Sequence, residues 1–99
     1  MGYGVEFSDL AEKDLERAVR FLARKSPEAG IRIGDELVNV ALSLSNLPHR
    51  GSPVKNRKGI RKVPHRHYLL FYRIDEARKC VQIVRIWDNR RDPEALRLD

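Results

Sequence analysis

The sequence predicts an α+β domain in which an N-terminal strand and a two-helix hairpin precede a three-stranded antiparallel meander. Three observations support this prediction. The chain has 99 residues, the length of a single domain. Apolar residues recur with the helical period in the first half, and the pattern changes to strand-like alternation after residue 59. Short links separate the apolar runs of the second half, which favours neighbouring antiparallel strands and the order β-αα-βββ.

The first strand and the first helix follow from the opening residues. Residues 3–7 alternate large apolar and small or polar side chains, which is typical of a short strand. Ser8 or Asp9 caps the helix that follows, and acidic residues in the first turn suit the positive end of the helix dipole. The apolar stripe that we expect to face the core comprises Leu10, Ala11, Leu15, Ala18, Val19 and Leu22.

A second helix is predicted to begin at once. Ser26 provides its cap and Pro27 occupies the first helical position, where proline is favoured. We expect this helix to run to about Asn46. Gly30 and Gly34 lie one turn apart, so the two helices can approach closely there. The residues predicted to face inward are Ile33, Leu37, Val40, Ala41, Leu44 and Leu47.

The second half of the chain is predicted to be mostly strand. Residues 48–59 have the Pro, Gly, Ser and Asn content of a loop. Residues 92–96 resemble one terminal helical turn, with Asp92 as cap and Pro93 at the first position. The strands are predicted at residues 59–64, 68–74 and 80–87, with links at 64–67 and 75–78.

The last two strands raise a question about their cover. They carry apolar side chains on both faces, whereas a helical hairpin covers only one face of a sheet. The other face therefore needs the C-terminal segment or a partner chain, and we favour the partner. Trp87 is expected to pack in the core, and Cys80 to be a buried, reduced thiol.

Positive charge is concentrated in one part of the sequence. The net charge is +6, yet residues 1–46 carry 6 Lys or Arg against 8 Asp or Glu. Residues 47–74 hold 8 Lys or Arg, all three histidines and no acid. Such a stretch attracts phosphates or a strongly acidic protein, although a solvated basic face that serves solubility is the alternative.

The sequence also indicates where the protein acts. The N-terminus lacks the basic and apolar regions of an export signal, and no apolar run approaches the ~20 residues that cross a bilayer. We therefore expect a cytoplasmic protein with no membrane partner. His65 and His67 could suggest a metal site, but no acidic or Cys partner stands nearby in sequence, so neither a metal nor a cofactor is expected.

Several segments together resemble the RelE/ParE toxin superfamily. The front half offers a strand, the pattern Ala-x-x-Asp-Leu at residues 11–15, and two helices. The back half offers a basic strand, HYLLFYRI, an acidic turn, IVRIW and the ending NRRDPEAL. The resemblance extends over about residues 3–97 and implies one RelE/ParE-like toxin domain over residues 1–99, closer to the ParE-like branch.

The resemblance implies the toxin of a type II toxin–antitoxin system, a class associated with plasmid stabilisation. Such a toxin is neutralised by a cognate antitoxin that wraps it in a hetero-oligomer. RelE-like members cut messenger RNA in the ribosome, whereas ParE-like members poison DNA gyrase. A non-toxic basic module that binds nucleic acid is the remaining alternative.

Only part of the RelE-type RNase set is matched. RelE-like toxins use lysines, arginines and a late tyrosine, and Lys62 matches the second of two strand lysines. The first strand lysine falls on Ile60, the arginine of the central strand on Leu69, and the tyrosine on Leu96. Because these groups are lost, the resemblance favours gyrase inhibition and leaves the protein's status as an enzyme open. The catalytic candidates for an RNase are Lys62, Arg90, Arg91 and His67.

The basic residues are the remaining candidates. Arg73 and Arg85 are expected to pair with acids or to touch a partner, and residues 88–92 form either an internally paired turn or a contact site. His65 and His67 are either acid–base groups or simply polar residues of a basic turn. The residues predicted to bind a target or nucleic acid are Arg57, Lys58, Arg61, Lys62, Arg66, Arg73, Arg85, Arg90 and Arg91.

Overall fold

The structure is a computed structural model that describes residues 2–98. Its order confirms the predicted α+β arrangement, with one short strand added inside the predicted loop. A 3-10 turn, Pro93–Ala95, replaces the predicted terminal helical turn. The elements are β1 (Gly4–Phe7), α1 (Asp9–Ala23), α2 (Pro27–Ser43), β2 (Ser52–Pro53), β3 (Arg61–His65), β4 (Tyr68–Asp75) and β5 (Cys80–Asp88).

The strands form one sheet in the order β1-β5-β4-β3-β2. The meander β3-β4-β5 is antiparallel, as predicted. The N-terminal strand lies beside β5 and runs parallel to it, with Gly4 opposite Cys80. A parallel neighbour needs a crossover, and the two helices with the first strands of the meander supply it. No helix among residues 2–98 has the length and apolarity needed to span a membrane.

Both helix starts are as predicted. The Oγ atoms of Ser8 and Ser26 accept hydrogen bonds from the backbone N–H groups of Ala11 and Ala29, at 3.0 and 3.2 Å. The predicted close approach also occurs, because a Cβ on Gly30 would lie 2.8 Å from the carbonyl oxygen of Val19.

The second helix ends earlier than predicted, at Ser43. Ser45 instead bonds to the start of β1: its carbonyl accepts from the Tyr3 N–H, and its Oγ donates to the Tyr3 carbonyl. Leu47 therefore lies beyond the helix, and its predicted inward position is wrong, since it is 62% exposed. The predicted core position of Leu10 is also wrong, since this residue is 42% exposed.

A β-bulge on β5 divides the sheet's two faces. Phe71 lies opposite Arg85 and Tyr72 opposite Ile83, so Val84 is an extra residue on β5. Ile83 and Ile86 consequently belong to the helix-side core, while Val84 belongs to the core on the other face. The bulge interrupts the regular alternation that a sequence-based prediction assumes.

The chain itself covers the centre of the second face. Phe71, Val84 and Trp87 are buried there against Ile60 and the tail residue Leu98. Of the two covers that we considered, the C-terminal segment lies over this cluster, and cover of the rest of the face by a partner chain stays a prediction. The expected core position of Trp87 and the buried thiol of Cys80 are both confirmed.

Candidate functional site

A cleft of about 540 Å³ opens on the second face of the sheet. Its apolar lining is aromatic and aliphatic and includes Phe71, Trp87, Leu69 and the tail residue Leu96. Four cations stand around this apolar lining, and no Asp, Glu, His or Tyr of residues 2–98 lines the cleft. The four cations are Lys55, Arg57, Lys62 and Arg91.

The loop between β2 and β3 carries two of these cations. It closes with a hydrogen bond from the Val54 N–H to the Ile60 carbonyl, at 2.9 Å. Within it, Asn56 and Gly59 have φ values of 64° and 82°, in the left-handed region that these two residue types tolerate best. Lys55 and Arg57, on this tight turn, both line the cleft.

A buried tyrosine fixes the base of this loop. The Tyr72 hydroxyl donates to the Pro48 carbonyl at 2.6 Å and accepts from the Gly51 N–H at 2.9 Å. The guanidinium of Arg61 donates to the carbonyls of Gly51 and His49, at 2.6 and 3.3 Å. Burial raises the pKa of Tyr72, so the phenol remains a neutral donor. Nothing in the one-dimensional pattern of YLLFYRI indicated this role.

The segment after β5 sets the other end of the cleft. The Arg91 guanidinium lies 4.3 Å from the centre of the Trp87 ring, in a cation–π contact. The guanidinium of Arg90 donates to both carboxylate oxygens of Asp88, from Nε at 3.0 Å and from Nη2 at 2.8 Å. These hydrogen bonds lower the pKa of Asp88. The two neighbouring arginines therefore differ, because Arg90 is tied into the turn and Arg91 faces the cleft.

The tip of the β3–β4 hairpin faces the helices instead. Glu36 of α2 contacts His65 Nε2 at 2.6 Å and Arg66 Nε at 2.7 Å. Hydrogen bonds with Arg66, which has the larger effect, and with His65 lower the pKa of Glu36 to about 2. His67 is exposed beside this tip, and its carbonyl accepts from the Asn89 N–H at 2.6 Å. Its ring is not part of the cleft.

Arg85 forms a buried ion pair with Asp14. Its guanidinium donates to both carboxylate oxygens of Asp14, at 2.8 and 3.0 Å, and to the tail carbonyl of Arg97 at 2.9 Å. The Asp14 carboxylate also accepts the Ile86 N–H at 2.9 Å, and its hydrogen bonds raise the pKa of Arg85. Of the two alternatives for Arg85, pairing with an acid and contact with a partner, the structure shows the pairing, whereas the buried position of Asp14 was not predicted.

The structure sorts the nine predicted binding residues into three groups. Arg57, Lys62 and Arg91 line the cleft. Lys58 and Arg73 line an adjoining depression that also includes Arg57. The other four, Arg61, Arg66, Arg85 and Arg90, are engaged in the contacts described above.

Sequence reasoning missed Lys55 as a member of the site. The signal that could have found it is its place in the acid-free stretch of residues 47–74. Within residues 2–98 no three His, Cys, Asp or Glu side chains gather as metal ligands would. The cleft offers cations beside an apolar floor, which suits binding of an anionic partner.

Comparisons with known proteins identify a family and solved structures that this chain resembles. The family model for the ParE toxin of type II toxin–antitoxin systems, parDE, matches residues 5–93. A chain of the toxin–antitoxin complex RelBE2 from Mycobacterium tuberculosis is 31% identical with a TM-score of 0.69, and the match covers 89% of this chain and 92% of that chain. No match was found among curated protein sequences.

A second solved structure shows the same fold. A chain of the chromosomal ParDE toxin–antitoxin system from P. aeruginosa is 18% identical with a TM-score of 0.71, covering 85% of this chain and 92% of that chain. Together with the family match, these likenesses confirm the resemblance drawn from the segment order. The chain belongs to the ParE toxin family of type II toxin–antitoxin systems, within the RelE/ParE superfamily.

Proposed function

We propose that this toxin arrests growth by poisoning DNA gyrase in the cytoplasm, and that a cognate antitoxin neutralises it in a hetero-oligomer. The observation that carries the proposal is the cationic cleft over Phe71 and Trp87. Its described lining supplies charge and apolar surface but no His, Tyr or carboxylate. Such a surface favours binding to a macromolecule over moving protons, and proton transfer is what RNA cleavage requires.

The match to the ParE family supports gyrase as the target, and the charge of the site supports an anionic surface as its complement. The match to a chain of the RelBE2 toxin–antitoxin complex and the one to a ParDE system support the antitoxin. An acidic antitoxin segment would also be attracted by the excess positive charge of residues 47–74.

A RelE-like RNase is the second candidate. Two observations favour it: the likeness to a chain of the RelBE2 complex at 31% identity, and the presence of Lys62 and Arg91 in one cleft. Both cations could stabilise the charge of a phosphate in the transition state. Arg90 and His67, the other RNase candidates, stand outside this cleft.

The test is expression of the chain in a bacterial host, alone and with the product of the adjacent reading frame. The gyrase proposal predicts growth arrest with double-strand DNA breaks and filamentation, intact messages, and rescue by the neighbour. With purified proteins, gyrase incubated with the chain should accumulate cleaved plasmid. Ribosome-dependent message cuts without DNA breaks would establish the RNase instead, and normal growth without the neighbour would contradict a toxin.

A matched pair of variants connects the activity to the cleft. The double variant Lys62→Glu and Arg91→Glu should abolish growth arrest, because it reverses two of the four cleft cations. The control Lys13→Glu and Lys25→Glu changes the net charge equally on exposed positions of the helical region. Arrest that survives the cleft variant, or that the control also removes, would separate the activity from the cleft.

A further inference from the structure

A second concavity lies on the helix side of the sheet, between α1 and the end of β5. It has a volume of about 230 Å³ and an apolar floor of Ala18, Phe21, Tyr68 and Ile86. We call it the α1 groove. Phe21 is a large aromatic residue and is 48% exposed, although it lies one turn after Ala18, which is buried on the same side of α1. An exposed aromatic beside an apolar hollow is typical of a protein-binding surface.

The charges around the α1 groove are not balanced. Four charged residues line it, but its two acids are already compensated. Asp14 is paired with Arg85 at 2.8 Å, and Asp88 with Arg90 at 2.8 Å. Among residues 2–98 the other two, Arg17 and Arg91, lie within 4.0 Å of no carboxylate. The groove therefore presents apolar surface flanked by uncompensated positive charge.

We propose that the α1 groove is the docking site for an acidic segment of the antitoxin that inserts an apolar side chain beside Phe21. This inference rests on the proposed function, since it assigns a surface to the antitoxin named there. Burying Phe21 supplies the apolar gain, and carboxylates of the segment pair with Arg17 and Arg91.

The outer side of α2 is the other candidate surface. Ile31 and Leu42 are exposed there, at 64% and 51%. Asp35 stands between them on the same side of the helix, one turn after Ile31, and it is exposed. An acidic partner would be repelled by this carboxylate, so the charge pattern selects the α1 groove.

One residue joins the groove to the functional cleft. Arg91 lines both cavities, and its guanidinium stacks on Trp87 at the cleft floor, at 4.3 Å. A carboxylate that pairs with Arg91 from the groove withdraws one of the four cleft cations. Docking on the helix side therefore alters the opposite face without covering it. Trp87 is the only tryptophan in the chain and reports this change through its fluorescence.

The experiment measures binding of the purified product of the adjacent reading frame to the full chain. Phe21→Glu should weaken binding by about 30-fold or more, the scale of an interface hot spot. Arg17→Glu should weaken it about tenfold, because a rim charge contributes less than a buried anchor. The controls are Ile31→Glu, a matched apolar change on α2, and Arg20→Glu, a matched charge reversal on the exposed side of α1.

The outcomes separate the two proposals. If the wild-type chain does not bind the product of the adjacent reading frame, the antitoxin part of the proposed function is refuted, and this inference is refuted with it. If the wild type binds and Phe21→Glu binds equally well, or Ile31→Glu weakens binding more, the antitoxin stands and the groove is refuted. Because Phe21 is half exposed, its variant should keep the wild-type melting temperature, and Arg17→Glu repeats the test without changing an apolar residue.

Discussion

The two faces of the sheet are built on different principles. Among residues 2–98, the helix side packs a core of thirteen buried residues from the helical region and three strands, β3, β4 and β5, so most apolar burial lies there. Within the same residues the opposite side has a cluster of five buried residues, which includes Ile60 of the loop and Leu98 of the C-terminal tail, and cations surround the adjoining cleft. The first face accounts for folding, and the second leaves a charged surface available for a partner.

The two faces also differ in whether the charged side chains named above are paired. On the helix side, Asp14 and Arg85 are buried and fully hydrogen-bonded to each other and to the backbone. On the other face, Lys55, Arg57 and Lys62 form no ion pair within 4.0 Å among residues 2–98. Compensated charge supports the fold, whereas uncompensated charge is available for binding.

The largest effect is expected from Asp14→Ala. This change leaves the buried Arg85 without its carboxylate and the Ile86 N–H without its acceptor. Removing one partner of a buried ion pair costs about 3–5 kcal/mol, a large share of the stability of a small domain. Urea denaturation measures the loss in free energy of unfolding.

The matched control is Glu16→Ala on the same helix. Glu16 pairs with Arg20 at 3.7 Å, and both side chains are exposed, so the expected loss is about 0.5 kcal/mol or less. Equal losses for Asp14→Ala and Glu16→Ala would mean that the buried pair is not a structural element, and the contrast between the faces would fail.

The next largest effect compares leucines on the two faces. Leu70→Ala removes a fully buried side chain from the helix-side core, at an expected cost of about 2–5 kcal/mol. Leu98→Ala removes a buried side chain from the second face, but it lies at the chain end, where the tail can fray, so about 1 kcal/mol is expected. Thermal denaturation of both variants measures which one loses more stability.

The activity of these leucine variants is a second readout. Under the proposed function, Leu98→Ala should lower the inhibition of gyrase beyond what its small loss of stability explains, since Leu98 lines the cleft. A Leu98→Ala variant that is destabilised as strongly as Leu70→Ala would show that the tail is an integral part of the core.

Much of the fold could be predicted because local chemistry dictates it. Serine caps fix where both helices begin, and the change of apolar period fixes where the strands begin. The acid-free stretch indicated the basic side of the molecule. Its members Arg57 and Lys62 do line the cleft.

The remaining features depend on contacts distant in sequence. The bulge at Val84 shifts the alternation of β5, and no local pattern signals it. Asp14 lies in a charged helix segment, and only Arg85, 71 residues later, makes its burial possible. Tyr72 resembles any strand aromatic until the loop at Pro48 and Gly51 returns to meet its hydroxyl. Nothing within a sequence window distinguishes Arg90 from Arg91, although only Arg91 faces the cleft.

The smallest effect tests the hairpin tip, where Glu36 joins the sheet to α2. Arg66 and His65 lower its pKa from 4.5 to about 2, so its charged form favours the folded state. This stabilisation is fully present above pH 4.5 and is lost as the pH falls through about 2. Glu36→Gln should therefore lower the free energy of unfolding at neutral pH, and its difference from wild type should shrink in that acid window. Asp35→Asn, an exposed neighbour, is the control, and a Glu36→Gln difference that stays constant throughout the window would show that the pair does not stabilise the hairpin tip.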